Sequence, residues 1–517
     1  MCRFLLVALN IEAILGEVTV GLRRKKLEEM ARGGGLSDAY TETLARMKRQ
    51  KGNKPVLGLK VLKWVLYSER PLRAEELCHA LAVEMGSLDM EPKNIPALRT
   101  LLSSCQGLVV VEASSSTVRL VHFTLQEHLL SNPSLSHSPH STIAEVCLTY
   151  LNFECIRELS PIVDSPPPMI PFLGYASIYW GKHARMGMTE NVKILALRLL
   201  DRFDEHISAQ LLLLHYNNEH CSRGLYLTKG EGPRGFTGLH GVSFLGIVEI
   251  AAAVLKMKEW DVNATDCTGS TALLWAAGKG YEEVVKVLLG RKDVDPNQRA
   301  TAYGRTPLSW AAKNGHEGVV KILLEREDIN PCQEQNSYDR TLLSWAVDNG
   351  HEGVVRMLLK WKEVNPNQGG PLLSAALNGH EAIVKMLLER EDINPCQEHR
   401  SYGRTLLSWA AGNGNEGVVR MLLERKDVDP NQKDPKTGWT PLMWAKVGGH
   451  EGVVKMLLER QGADINHLPH TRLALLFKQW KKKAQSKIKG ENTAAERWAS
   501  GMEDDSRGWW GEVRTYW

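Results

Sequence analysis

Nowhere in this 517-residue chain do apolar residues run on for the eighteen or so that a membrane-spanning helix requires, so no bilayer crossing is expected. Charge of one sign is also missing. The 64 Lys and Arg residues are offset by 60 Asp and Glu, and the net +4 makes no global case for nucleic acid. Paired cysteines are absent. The nine cysteines are odd in number, scattered, and never form Cys-x-x-Cys, which fits reduced thiols in the cytoplasm, with the nucleus as the alternative compartment. The apolar start Met1–Leu9 is broken by Asn10 and Glu12 and continues at helical spacing through Ile11, Ile14 and Leu15. That pattern reads as a domain helix rather than a signal peptide.

Catalytic motifs are lacking as well. A phosphate loop needs Lys and Ser/Thr after its last glycine, and Gly16–Gly21 is followed by Leu22 and Arg23. A zinc-protease helix needs a second His four residues on, but Val320 stands there after His316. Gly241-Val242-Ser243-Phe244-Leu245-Gly246 misses the nucleophile-elbow spacing by one residue. His215, His220 and Cys221 have no fourth ligand at metal-site spacing. We therefore expect no enzyme, no cofactor and no metal.

What is present is a repeat. The string from Gly304 to Leu324 recurs from Gly269, Asp339, Gly403 and Gly438, and the mid-repeat glycines Gly280, Gly315, Gly350, Gly379, Gly414 and Gly449 stand 35, 35, 29, 35 and 35 residues apart. A degenerate copy leads at Phe236–Gly241, giving about seven units. Each unit reads as two short antiparallel helices. Thr306 caps the first and Pro307 occupies its first position. Gly315 ends it, and Val319, Val320, Leu323 and Leu324 form a buried stripe on the second. The unit near Gly379 is six residues short, the gap falling between Gln368 and Leu372 where a turn tip belongs.

These residues resemble the ankyrin family, whose repeat carries Gly-x-Thr-Pro-Leu-His-x-Ala-Ala and then Gly-His. The family His is replaced here by Ser309, Ser344, Ser408, Leu274 or Met443, so its capping bond should be altered. The resemblance implies a ligand edge at the turn tips and at the residues before each mid-repeat glycine. Those positions hold Tyr303, Arg305, Lys313 and Asn314, then Tyr338, Arg340, Asp348 and Asn349, then Tyr402, Arg404 and Asn413, and finally Trp439. Tyr, Arg and Trp are common interface anchors, and tip residues are expected to have no duty in holding the stack. The row Trp275, Trp310, Trp345, Trp409 and Trp444 is expected to pack between repeats. The shortened unit should split the tip surface in two.

Residues 1–235 carry no repeat. Helices are expected at Phe4–Leu15, Arg23–Met30, Ser37–Gln50, Leu57–Tyr67, Ala74–Val83 and Ile95–Ser104, with a glycine break at Gly33–Gly35. Leu108–Glu112 and Thr117–Phe123 flank Ala113-Ser114-Ser115-Ser116 as a hairpin, so three helices and a hairpin give a winged-helix order. The strings Gly35–Tyr40, Trp64–Leu72, Leu120–Leu130, Cys147–Leu151 and Tyr175–Trp180 are similar to the region after the ATPase in fungal NACHT-type signalling proteins, including a winged helix of the type labelled after GPI inositol deacylase. The ATPase itself does not occur in the sequence. Asn94–Ser104 offers one Arg among apolar residues and reads as a packing helix, not a DNA reader.

The expected organisation is mostly α: a helical segment at 1–54, a winged helix at 55–131, a helical linker domain at 132–235, an ankyrin solenoid at 236–462 and a basic tail at 463–517. Thr471–Gly490 holds seven basic residues and no acid, suited to capping the stack or meeting an acidic partner. The expected function is protein recognition through the tips, as the sensing arm of an intracellular innate-immunity-type receptor. The alternatives are an orphan ankyrin adaptor and, behind it, a winged-helix DNA-binding regulator.

Overall fold

A computed structural model describes residues 18–25, 36–131, 138–162, 165–220, 232–257, 260–301, 304–331, 341–394, 404–435 and 437–460. The helix expected at Phe4–Leu15, the glycine break, Tyr303, Tyr338, Arg340, Tyr402, Cys221 and the basic tail lie outside them, as does the second half of Arg23–Met30. The chain divides into two units, Met1–Ala302 and Tyr303–Trp517.

The first unit opens with α1 (Leu36–Lys48), α2 (Lys54–Tyr67), α3 (Ala74–Ala82) and α4 (Leu98–Ser104), then β1 (Val109–Val111), β2 (Val118–Leu120) and α5 (Phe123–Leu130). Their apolar faces meet in a core of Leu44, Met47, Leu62, Leu77, Leu101, Val109, Val118, Leu125 and Leu129, all buried. Gly58 lets α2 pass close to α4: a Cβ there would stand 2.7 Å from the Ser104 carbonyl oxygen and 2.9 Å from Met47 Sδ. Helix α4 starts at Leu98, later than the expected Ile95, because Pro96 holds the preceding residue extended. The hairpin pairs Val109 with Leu120 and Val111 with Val118. A third short extended segment, not read from the sequence, joins its edge. Val118 N–H donates to the Leu72 carbonyl at 2.8 Å, and Ala74 N–H to that of Ser116 at 2.9 Å.

The helices α6 (Pro139–Leu151), α7 (Glu154–Arg157), α8 (Leu173–Met186), α9 (Glu190–Leu200) and α10 (Ile207–His220) follow. Between α2 and this bundle runs a buried polar relay. Glu69 N–H donates to the Tyr175 hydroxyl at 3.1 Å, which stands 2.9 Å from His183 Nε2, and His183 Nδ1 stands 2.9 Å from His140 Nδ1. Donation in one direction satisfies every atom: the tyrosine donates to Nε2, and His183 Nδ1–H donates to His140. Both imidazoles are then neutral. Burial holds His183 down at about 3, and the buried His206, which bonds the Leu151 carbonyl at 3.0 Å, down at about 4.

Two helix pairs complete the unit: α11 (Gly238–Leu245) with α12 (Val248–Lys256), and α13 (Ala272–Lys279) with α14 (Glu282–Leu289). In the degenerate first pair His240 keeps the family role, its Nδ1 2.8 Å from Thr237 Oγ1 and its Nε2 3.1 Å from the Ala264 and Ser270 carbonyls.

The second unit consists of α15 (Pro307–Asn314) with α16 (Glu317–Leu324), α17 (Leu342–Asp348) with α18 (Glu352–Leu358), α19 (Pro371–Asn378) with α20 (Glu381–Leu388), α21 (Leu406–Asn413) with α22 (Glu416–Glu424), and α23 (Pro441–Gly448) with α24 (Glu451–Glu459). Serine in place of the family His closes the cap differently. Ser309 N–H donates to Thr306 Oγ1 at 3.3 Å while Thr306 N–H donates to Ser309 Oγ at 3.1 Å, and Thr341 with Ser344 repeats the exchange. At the shortened unit Gly370 replaces the threonine, and no side chain caps α19.

Successive pairs are tied together at three levels. First, at three of the second helices the opening residue reaches the last turn of the preceding first helix, while His380 Nε2, at the start of α20, is buried without a partner. His351 Nε2 meets the Lys313 carbonyl at 2.9 Å, His450 Nε2 that of Gly412 at 3.0 Å, and Asn415 Nδ2 donates to that of Ala376 at 2.5 Å. Second, the arginines ending the second helices fork: Arg390 and Arg425 pair with Asp392 and Asp427 while their NH1 groups donate to the Leu359 and Leu388 carbonyls at 2.6 and 3.1 Å. Third, Asn367 joins two loops, donating to the Asp392 carbonyl at 2.7 Å and accepting from Asn394 N–H at 2.9 Å.

Two outcomes follow. Gly315 has φ +77° and a Cβ there would lie 2.5 Å from His351 Nδ1, whereas at Gly304, φ +63°, it would meet nothing within 4 Å. Gly304→Ala should cost about 1 kcal/mol in strain alone, and Gly315→Ala about 2–3 kcal/mol because the His351 bond is also displaced. Urea unfolding of both variants checks the difference; equal losses would contradict the interlock. The histidines make the first unit acid-sensitive. Their folded values lie below the ordinary 6.5, so their contribution is complete above that pH and is lost as pH falls toward 4 and 3. Between pH 6.5 and 5 each should remove about 1.4 kcal/mol per pH unit, and His183→Gln should remove about half of the slope. A pH-independent urea midpoint would contradict the neutral relay.

Candidate functional site

The second-helix stripes cannot serve a ligand: Val319, Val320, Leu323, Val354, Val355, Leu387 and Leu422 are all fully buried. What remains is the face built by the first helices and the residues just before their caps. There the sequence places an arginine one residue before the cap and a tryptophan four residues after it, so each cation lies level with the rings of its own and the following unit.

The structure fills that geometry with stacked pairs. Arg305 Cζ lies 4.8 Å from the Trp310 ring and 5.0 Å from that of Trp345. Lys313 Nζ sits 5.6 Å from the same two rings. Further along, Arg404 Cζ lies 4.3 Å from the Trp409 ring and 3.1 Å from that of Trp444. Its Nε is 3.5 Å from Oδ2 of Asp434, whose side chain is fully buried. Burial pulls the Arg404 guanidinium down to about 10, partly offset by Asp434, so it is still a cation at neutral pH. Trp439 packs on Trp444 with ring centroids 4.6 Å apart.

This arrangement revises the expectation that tip residues hold nothing together. Arg305 and Arg404 are clamps between rings, and the Arg404 side chain is only 12% exposed. The expectation that the tryptophans pack between repeats fits Trp310, which is 9% exposed. Trp345, Trp409, Trp439 and Trp444 are half-buried, so each also presents ring surface. Lys313, Asn314, Asp348 and Asn413 are half-buried and Asn349 is exposed. Asn349 Nδ2 donates to the Trp345 carbonyl at 2.8 Å, and Asn413 Nδ2 to that of Leu377 at 3.1 Å. Asp434 was missed by sequence reading. A signal for it exists, since Asp434 precedes Thr437-Gly438 much as Asp266 precedes Thr268-Gly269, and Asp266 accepts from Trp275 Nε1 at 2.8 Å.

In the first unit Trp275 is 4% exposed and set among Tyr216, Phe236 and Phe244, with Lys279 Nζ 3.7 Å from the Tyr216 ring centre. That is a core, not an open face. On the winged-helix side, α4 carries a single exposed cation, Arg99, and buries Leu101 and Ser104. Among the described residues no group of three or more His, Cys, Asp or Glu side chains could hold a metal ion. No described helix is long and apolar enough to cross a membrane.

The matches to protein families agree with this architecture. Residues 44–141 match the family described as GPI inositol-deacylase, winged helix domain. No curated protein matches the chain. Among solved structures, the human ASB11 ankyrin repeat domain is 21% identical, with 42% of this chain and 96% of that chain covered and a TM-score of 0.37. Residues 204–300, 293–369 and 372–468 each match the family described as ankyrin repeats (3 copies), the first of them beginning upstream of Phe236. With these matches spanning just over half of its length, the chain belongs to the ankyrin-repeat family.

Proposed function

We propose that this chain is a non-enzymatic protein-recognition module, an N-terminal winged helix at 55–131 and helical linker carrying a stack of seven ankyrin repeats that meets its partner through the tryptophan face of the first helices. One observation carries the reading. The half-buried rings Trp345, Trp409 and Trp444 each meet an arginine, Trp439 packs on Trp444, and all four are flanked by polar helix ends. Rigid aromatic area at low entropy cost, next to hydrogen-bonding groups, is what interface hot spots are made of. Of the twelve tip and helix-end positions named from the sequence, the eight within the described residues border this face. Within the proposal, the clamped Arg305 and Arg404 position the rings, while Lys313, Asn314, Asp348, Asn349, Asn413 and Trp439 touch the partner. The strings similar to NACHT-type proteins support a place as the sensing arm of a signalling receptor in the cytoplasm.

The test is capture from cell extract by the immobilised intact chain, with identification of what is enriched over the heat-unfolded chain. Asn314→Arg and Asn349→Arg put bulk on the face without touching a buried stripe. Each is expected to lower capture of the enriched partner at least tenfold while the melting temperature stays within about 3 °C of the parent. Lys321→Glu, on the exposed side of a second helix, should change neither. Full capture by both asparagine variants would refute the face.

A further inference from the structure

The shortened repeat is fastened differently from its neighbours. Thr306, Thr341, Thr405 and Thr440 each cap a first helix with a side-chain oxygen, but α19 begins after Gly370, which has none. Gly369 and Gly370 both have positive φ, +77° and +63°, and a Cβ at Gly370 would meet nothing within 4 Å. Two successive glycines leave the chain entering α19 without the steric limits that other residues impose.

The tie at the glycine end of the helices is altered as well. His351 and His450 bond the carbonyl two residues before the preceding glycine, that of Lys313 in one case and of Gly412 in the other. At α20 the corresponding carbonyl is that of Asp348, and it accepts from Asn378 Nδ2 at 3.3 Å instead. His380 Nε2 is left buried with no hydrogen-bond partner, although its ring keeps the usual seat, with Cε1 2.8 Å from where a Cβ on Gly350 would be. Nor does α19 carry a ring. Ser374 stands where the neighbouring units have Trp310, Trp345, Trp409 and Trp444.

The opposite edge of the same joint keeps its ties. Arg390 NH1 donates to the Leu359 carbonyl at 2.6 Å, Asn367 Nδ2 to that of Asp392 at 2.7 Å, and Asn394 N–H to Asn367 Oδ1 at 2.9 Å. These bonds lie at and beyond the ends of the second helices, whereas His380 lies at the beginning of one. A joint tied along one edge, loose along the other and entered through two glycines has the parts of a hinge.

We propose that the second unit hinges at this joint: α17 with α18 and α19 with α20 part at their glycine end while pivoting on Arg390 and Asn367. The motion changes the spacing between the rings of Trp310 and Trp345 and those of Trp409 and Trp444, so one chain adapts its first-helix face to surfaces of different curvature. The hinge does not depend on that face being the partner surface.

The test places spin labels on the intact chain through p-acetylphenylalanine, which spares the native cysteines, and reads distance distributions by double electron–electron resonance. Labels at Arg356 and Arg420 span two joints including the hinge, labels at Lys385 and Lys455 span two joints without it, and all four positions are exposed. The first distribution is expected to be at least about twice as broad as the second. A stability series checks the loose edge. His351→Ala and His450→Ala each lose a hydrogen bond and His380→Ala loses none at Nε2, so His380→Ala should lower the urea midpoint by less than about half as much. Equal widths for the two label pairs overturn the hinge, and a loss in His380→Ala as large as in His351→Ala overturns the loose edge on which it rests.

Discussion

Helices of seven to nine residues do not persist in water by themselves, and every helix among the described residues of the second unit is of that length. Each therefore exists only against the next, and the contact that fixes this dependence is the side chain reaching back from the start of one second helix to the end of the preceding first helix. His351, Asn415 and His450 accept this duty. It is available only because Gly315, Gly379 and Gly414 end the first helices in the left-handed conformation and leave no Cβ in the way. A second clearance repeats the theme: the glutamates Glu317, Glu381 and Glu416 lie where a Cβ on Gly353, Gly417 and Gly452 would be. The repeat's glycines thus serve close approach as well as chain reversal.

Once that interlock consumes the second helices, the surface left for chemistry is narrow. The arginine clamps use part of it for stability, which would have a functional consequence: two rings held by a guanidinium seated between them would lose little freedom on binding a partner. A buried cation beside a buried carboxylate, Arg404 with Asp434, is a costly way to hold two rings. We read it as the device that keeps Trp409 and Trp444 in fixed positions rather than as a source of stability.

Much of this was legible in residue order. Glycine spacing, Thr caps and Val-Val-x-x-Leu stripes mark helix pairs because each has a local physical cause, and the six-residue deletion before Leu372 announced the missing tip. Long-range pairings were not legible. Nothing near Arg404 in sequence says that its partner is Asp434, or that it will lie between one ring of its own repeat and one of the next. The segment Leu72–Arg73 escaped notice because two residues beside Pro71 carry no strand pattern; only the hairpin edge makes them extended. The relay from Glu69 to His140 joins residues 71 positions apart and had no sequence signature at all.

The first-helix face of the second unit, and not the second helices or the winged helix, is the surface proposed to meet the partner. Hydrogen–deuterium exchange of the intact chain with and without its captured partner tests this most directly. Bound partner should slow exchange in 341–349, 371–378 and 406–413 and leave 352–358, 381–388 and 36–131 as they were. Protection confined to the second helices or to the winged helix would contradict it.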